Sequence, residues 1–403
     1  MVSSERPQLR PFLDLARDGR DPRFFYLFDR LKLSPVSCRL PAAAVAWLQL
    51  FDGKHSLRDI QVTAMRQAGG EILPLEVFTG LAEKLDELFF LEGPRFRQRL
   101  AGPVREPSCI GCYEAEPEAL RRQLRGLFTG ARGPGLPRGG TPDGRLRAAL
   151  IPHIDFRRGG ATFAWGFKEV FEHTNASLFV IIGTSHYTSH RFTLTRKHFK
   201  TPLGVVPTDQ AYVDRLAAYY GAGLFDGEPA HLPEHSIELE VVFLQYLYEG
   251  KRPIRIVPLL AGSFQDGVDA QTPPRRLPDV ARMIDALRRA EAETPEPICY
   301  IISGDLAHIG PDFGDPAPVD DPVLAHSREQ DGELCAAAEA MDLDRYFGII
   351  ADEGDSRRIC GLPPTYTLLE AVRPRGGKLL AYDQYAHPRG AQSVSFASVA
   401  FYC

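Results

Sequence analysis

The chain has 403 residues, 44% hydrophobic and 25% charged, with a formal net charge of −5. This is ordinary globular composition with room for two or three domains, and the small acidic excess argues against nucleic acid or an acidic membrane surface as main partner. No apolar run approaches the roughly 18 residues of a membrane span, and the start, M-V-S-S-E-R-P-Q, lacks a basic segment followed by an apolar one, so a cytoplasmic protein without a secretory signal is expected.

Pro7 to Arg30 mixes aromatics, prolines and charges and reads as short strands or irregular structure. From Leu40, the run P-A-A-A-V-A-W-L-Q-L-F has helical spacing and stops at the turn signal Asp52-Gly53. Ser56 is placed to cap a second helix through Ile60 and Met65, and a third runs from Leu75 to Leu88, with a strand expected at Phe89-Phe90-Leu91. Three helices and a strand predict a small winged-helix-like domain over residues 1–100. Its last helix carries four acids and one lysine, a poor surface for phosphates. The pattern resembles PqqD-like winged-helix modules, which bind peptides.

Residues 101–147 are rich in Pro, Gly and Arg and read as a linker interrupted by one amphipathic helix, Pro117 to Phe128. The seven cysteines form an odd, scattered set, which fits reduced thiols better than a disulfide framework. Cys109-Ile110-Gly111-Cys112 is a lone C-x-x-C. A structural zinc site needs a second pair and a thioredoxin-like site needs a preceding strand, so the two thiols are read as ordinary members of the linker.

Beyond residue 148 the pattern changes to an α/β domain. Apolar runs at Arg147–Ile151, Leu178–Gly183, Ile254–Leu260 and Ile298–Ser303 fit strands buried on both faces of a sheet. Three are followed by small residues and a histidine: His153, His186 and His308. Open α/β sheets bind ligands beyond the carboxyl ends of their strands, so these histidines converge on a candidate site. Pro233-Glu234-His235-Ser236-Ile237-Glu238 opens a helix reaching Tyr248, with His235 and Glu238 on one face; taken alone this is an ordinary N-terminal turn. His190 and His198 fall in a polar stretch and are expected to be exposed, and His326 sits on a helix starting near Asp321.

Read in order, L-I-P-H-I-D-F-R-R-G-G, I-I-G-T-S-H-Y, E-H-S-I-E-L-E, S-G-D-L-A-H, I-C-G-L-P-P-T-Y and S-V-S-F-A-S-V-A-F-Y resemble the Memo family across about residues 107–403. The resemblance implies a central mixed sheet flanked by helices, similar to class III extradiol dioxygenases, which hold non-haem iron with two histidines and a carboxylate. By motif, His153 and His186 match the metal-ligating histidines and His235 the acid–base position. The third ligand is expected in the S-G-D-L-A-H motif. There Ala307 cannot bind metal, so Asp305 and His308 are the neighbours able to substitute. Asp155, Ser185, Glu234 and Tyr385 are expected to line the pocket; Cys360 either lines it or packs. Iron or copper is the implied cofactor, and a radical SAM protein with a peptide or protein substrate the implied partners. Two functions stand: a metal-dependent oxidoreductase, with Asp305 or His308 completing the site and His235 moving protons, or a non-catalytic peptide- or protein-binding module on the same fold.

Overall fold

The computed structural model describes residues 5–34 and 36–403. The chain divides into two compact units that meet in sequence between Pro103 and Val104. The first contains an antiparallel sheet of β1 (Leu13–Arg17), β2 (Phe24–Asp29) and β3 (Cys38–Pro41), in that order, then helices α1 (Ala42–Leu48), α2 (Leu57–Gln67), α3 (Leu75–Glu87) and α4 (Pro94–Leu100). Leu27, Leu40, Leu48, Phe51, Ile60, Phe78, Leu85 and Phe90 form its core. Ser56 caps α2 through a reciprocal box with Asp59, which satisfies two helix-end donors at once.

The expected strand at 89–91 does not form. Phe89 takes a left-handed φ of 60°, Phe90 plugs the core, and Leu91 makes only an isolated bridge to Leu9. The sheet of this unit precedes its helices instead of following them.

The second unit, Val104–Cys403, begins earlier than residue 148. It starts with β4 (Val104–Arg105) and α5 (Pro117–Thr129), followed by β5 (Leu146–Ile151), α6 (Phe156–His173) and β6 (Leu178–Thr184). Then come β7 (Phe192–Leu194), β8 (His198–Thr201), β9 (Gly204–Val206), α7 (Gln210–Tyr220), α8 (Ser236–Tyr248), β10 (Arg255–Ala261), α9 (Gln265–Asp269) and α10 (Pro278–Ala292). The last third holds β11 (Ile298–Ser303), β12 (His308–Ile309), α11 (Asp321–Glu339), α12 (Leu343–Asp352), α13 (Leu362–Val372), β13 (Gly376–Ala386) and β14 (Ser393–Tyr402).

The main sheet runs β12-β14-β5-β11-β6-β10-β7, with β13 paired to β14. β5, β11, β6 and β10 are mutually parallel, whereas β14 and β7 flank them antiparallel, so the sheet is mixed. Its parallel centre is covered on both faces, which explains the unbroken apolar runs. One side packs the aromatic stack Phe128, Phe156, Phe163, Phe167 and Phe243 from α5, α6 and α8. On the other, Leu216, Met283, Phe347 and Leu368 belong to a core shared with the strands. A separate small sheet joins β4, β8 and β9.

The linker thiols depart from expectation: Cys109 and Cys112 form a disulfide, turned tightly at Gly111, whose φ is 107°. The other five cysteines are free. His190 and His198 are half-buried rather than exposed; His198 Nδ1 accepts the Thr208 N–H at 3.0 Å. No described helix is long and apolar enough to cross a membrane.

Candidate functional site

β5, β11 and β6 are neighbours, and their carboxyl ends lie level: Ser303 pairs with Ile151 on one side and Gly183 on the other. Two residues past the ends of these strands stand His153, Asp305 and His186. The three rings of His153, His186 and His235 cluster, with centroids 5.2, 5.3 and 5.0 Å apart pairwise. Cys360, from the turn between α12 and α13, completes the group, its Sγ 3.2 Å from His153 Nε2. Donor atoms of His153, His186 and Cys360 all lie within 4.8 Å of one another, as do those of His186, Glu234 and His235.

Each side chain is held by its neighbours. The His153 backbone N–H donates to Asp305 Oδ1 at 2.9 Å, and its Nδ1 lies 3.4 Å from Ser303 Oγ. Ser303 in turn donates to the Ser236 carbonyl at 2.7 Å. Glu234 is buried and organises the opposite wall. It accepts from the His186 N–H at 2.7 Å, faces His186 Nδ1 at 3.0 Å, and takes the backbone N–H groups of His235 and Ser236. His235 Nδ1 lies 3.2 Å from the same carboxylate. In the neutral imidazole, a carboxylate on Nδ1 fixes the tautomer and leaves the Nε2 lone pair available.

Electrostatics separate the histidines. Burial drives the His153 pKa well below its ordinary value, and His186 adds to the effect. Both effects favour the neutral imidazole at His153. Burial also opposes charge on His186, but Glu234 and Cys360 outweigh it and raise its pKa well above the usual range. Burial raises Asp305 to about 7 against the hydrogen bond from His153. Burial lifts the Cys360 thiol, while His186 pulls it down.

Among the described residues, the thiol grouped with His153 and His186 is that of Cys360; no residue of the S-G-D-L-A-H segment falls in either donor group. Ala307 is fully buried, its N–H bonded to Ser395 Oγ at 2.9 Å. His308 begins β12 opposite Val394 and does not join the donor group; its Nδ1 faces the Leu306 and Arg358 carbonyls, each at 3.2 Å. Asp305 is close, its Oδ2 3.9 Å from His153 Nε2, and braces the His153 backbone. Asp155 caps α6 and pairs with Arg158; Tyr385 stacks under Arg158, 5.1 Å away. Neither carries a donor of the cluster. Ser185 Oγ is buried without a partner. Glu238 turns away from the site and receives Arg105.

Cys360 reaches the site because two backbones nearly touch. A Cβ on Gly304 would stand 2.6 Å from Gly361 Cα, and one on Gly361 2.6 Å from the Asp305 carbonyl oxygen. Gly361 N–H donates to that carbonyl at 2.9 Å, and Thr184 Oγ1 donates to the Cys360 carbonyl at 2.7 Å. The I-C-G tripeptide was the available sequence signal for bringing this thiol to the cluster, with the glycine marking a close approach.

A family model described as Memo-like protein matches residues 105–400. Among curated relatives, a MEMO1 family protein of Aquifex aeolicus is 25% identical over 88% of this chain and 90% of its own length. Another from Methanopyrus kandleri is 29% identical over 74% of this chain and 98% of its own, and one from Caldivirga maquilingensis 27% over 74% and 99%. The Aquifex similarity spans more of the chain than the second unit holds, so it reaches into the first.

Proposed function

The chain belongs to the Memo family, and from that premise we propose that it is a non-haem metal-dependent oxidoreductase binding one iron or copper through His153, His186 and Cys360. One observation carries the proposal: two imidazoles and a thiol bring their donor atoms within 4.8 Å of one another at the level ends of three parallel strands. Two nitrogens and one sulfur suit iron or copper, and three protein ligands leave coordination positions open. When bound, such a metal supplies redox and Lewis-acid chemistry.

The residues around it divide the remaining work. Glu234 sets the His186 tautomer and orients the ring, and Asp305 anchors the His153 backbone. Burial keeps His153 free of a proton, so no proton has to leave it before ligation. His235 is half-buried, stacks on His186 and shares the Glu234 carboxylate, which places it to give or take a proton at a substrate beside the donor cluster. The radical SAM partner and peptide or protein substrate implied by the resemblance belong to the same proposal.

Elemental analysis of protein purified without chelator tests the site. The expected result is about one equivalent of iron or copper, lost in His153→Ala, His186→Ala and Cys360→Ser variants that keep their far-UV spectrum. Protein that stays metal-free after reconstitution overturns the reading.

A second reading, capture of a peptide or protein without catalysis, is favoured by β1. It is an edge strand of the first unit, and Leu15 on it is 45% exposed, a surface suited to strand addition. It predicts partner binding unchanged in a His153→Ala, His186→Ala double variant.

A further inference from the structure

The Cys109–Cys112 disulfide lies outside the donor cluster and is not used by the metal chemistry. Its placement is not that of a staple. It joins residues three apart in sequence, already closed by a hydrogen bond from the Cys112 N–H to the Cys109 carbonyl at 2.9 Å. Cross-linking so short a loop removes little freedom from the unfolded chain.

What holds this segment is a set of noncovalent bonds on either side. The buried Glu238 carboxylate accepts from the Arg105 guanidinium, the N–H groups of Ser108 at 2.9 Å and Cys109 at 3.1 Å, the Ser108 hydroxyl at 3.1 Å and the Tyr113 phenol. Downstream, the Phe156 N–H donates to the Cys112 carbonyl at 3.1 Å. The backbone flanking both sulfurs is therefore held by bonds in which neither sulfur takes part.

The pair is also reachable. Cys109 and Cys112 are half-buried, and Ile110 and Gly111 between them are exposed, whereas Cys299 and Cys335 are buried. Two cysteines separated by two residues, accessible and preorganised, have the form of a pair that exchanges with other thiols. The segment is bonded to α8 one turn beyond His235 and to the first residue of α6, three past His153, so it adjoins the donor cluster.

We propose that Cys109–Cys112 is a redox-active disulfide that oxidises a dithiol substrate. A substrate thiolate attacks one sulfur of the pair, forming a mixed disulfide and releasing the other cysteine as a thiolate. The second substrate thiol then displaces the first cysteine. Two electrons and two protons pass from the dithiol to the pair, leaving a substrate disulfide and two cysteine thiols.

The test uses the full chain, stripped of metal by chelator and equilibrated in graded mixtures of dithiothreitol and its cyclic disulfide. Samples are quenched in acid, alkylated with a maleimide and read by peptide mass. Cys109 and Cys112 are expected to become labelled together in one two-electron transition, with Cys299 and Cys335 unlabelled and the far-UV spectrum constant. Cys109→Ser and Cys112→Ser variants are each expected to form a mixed disulfide with glutathione at the remaining thiol. A pair already labelled in air-purified protein overturns the proposal. So does a pair that yields only when the protein unfolds, or the absence of a glutathione adduct in both single variants.

Discussion

Glu240 sits on α8 with no exposed surface, and neither carboxylate oxygen has a hydrogen-bond partner. Burial raises its pKa well above the ordinary 4.5, and the nearby Asp305 adds to the effect. An acid with a higher pKa in the folded state takes up a proton on folding. Its stability penalty therefore appears above the unfolded pKa and grows as pH rises toward the folded one. Glu238, two residues earlier, behaves oppositely. Burial opposes its charge, but Arg105 and Tyr113 prevail and lower its pKa, so its contribution is present above pH 4.5 and lost as pH falls. Glu240→Gln keeps the shape and abolishes the titration. Unfolding free energy measured by urea above pH 4.5 is expected to depend less steeply on pH in the variant, by at most about 1.4 kcal/mol per pH unit. Identical slopes would show that Glu240 is ionised in the folded protein.

At the scale of elements, the site depends on a close approach between the end of β11 and the turn before α13. Gly361→Ala puts a methyl against the Asp305 carbonyl and must push the turn that carries Cys360 outward. Overpacking of this kind costs about 1–3 kcal/mol, and displacing a ligand's support weakens metal affinity on the order of tenfold or more. A competition titration against a chromophoric chelator reads the loss; unchanged affinity would mean that Cys360 is not a ligand. The same turn shows what a sequence discloses. The buried strands were legible because a parallel centre demands unbroken apolar runs, and His153 and His186 followed from their ends. The rule of two residues past a strand also picks Asp305 after Ser303, and it leaves His308 three residues too far, inside β12. Cys360 was obscure because no strand delivers it; only register and the Gly304–Gly361 contact bring it in. Phe89-Phe90-Leu91 misled for a different reason: its composition is that of a strand, but Phe90 is spent on core packing beside a left-handed Phe89.

At the scale of the whole molecule, each unit owns a core. The first gathers Leu27, Ile60, Phe78 and Phe90, and the second the residues around its main sheet. Composition placed the second domain's start at residue 148, because Pro, Gly and Arg upstream look like linker. The structure gives that stretch structural duties. Leu120, Leu124 and Phe128 of α5 are fully buried, and Arg105 is the buried counter-ion of Glu238. Removing Arg105 strands a carboxylate inside α8, a loss that typically costs about 3–5 kcal/mol, and removing α5 uncovers Phe243 and its aromatic neighbours. A fragment spanning 104–403 is therefore expected to fold cooperatively and retain the metal stoichiometry of the full chain, whereas one spanning 148–403 is expected to aggregate or melt without a cooperative transition. Expression of both fragments, followed by thermal denaturation and metal analysis, decides it. If 148–403 folds and holds metal as well as 104–403, the Arg105–Glu238 pair and α5 are dispensable. The candidate site then needs only the main sheet and the helices that follow β5.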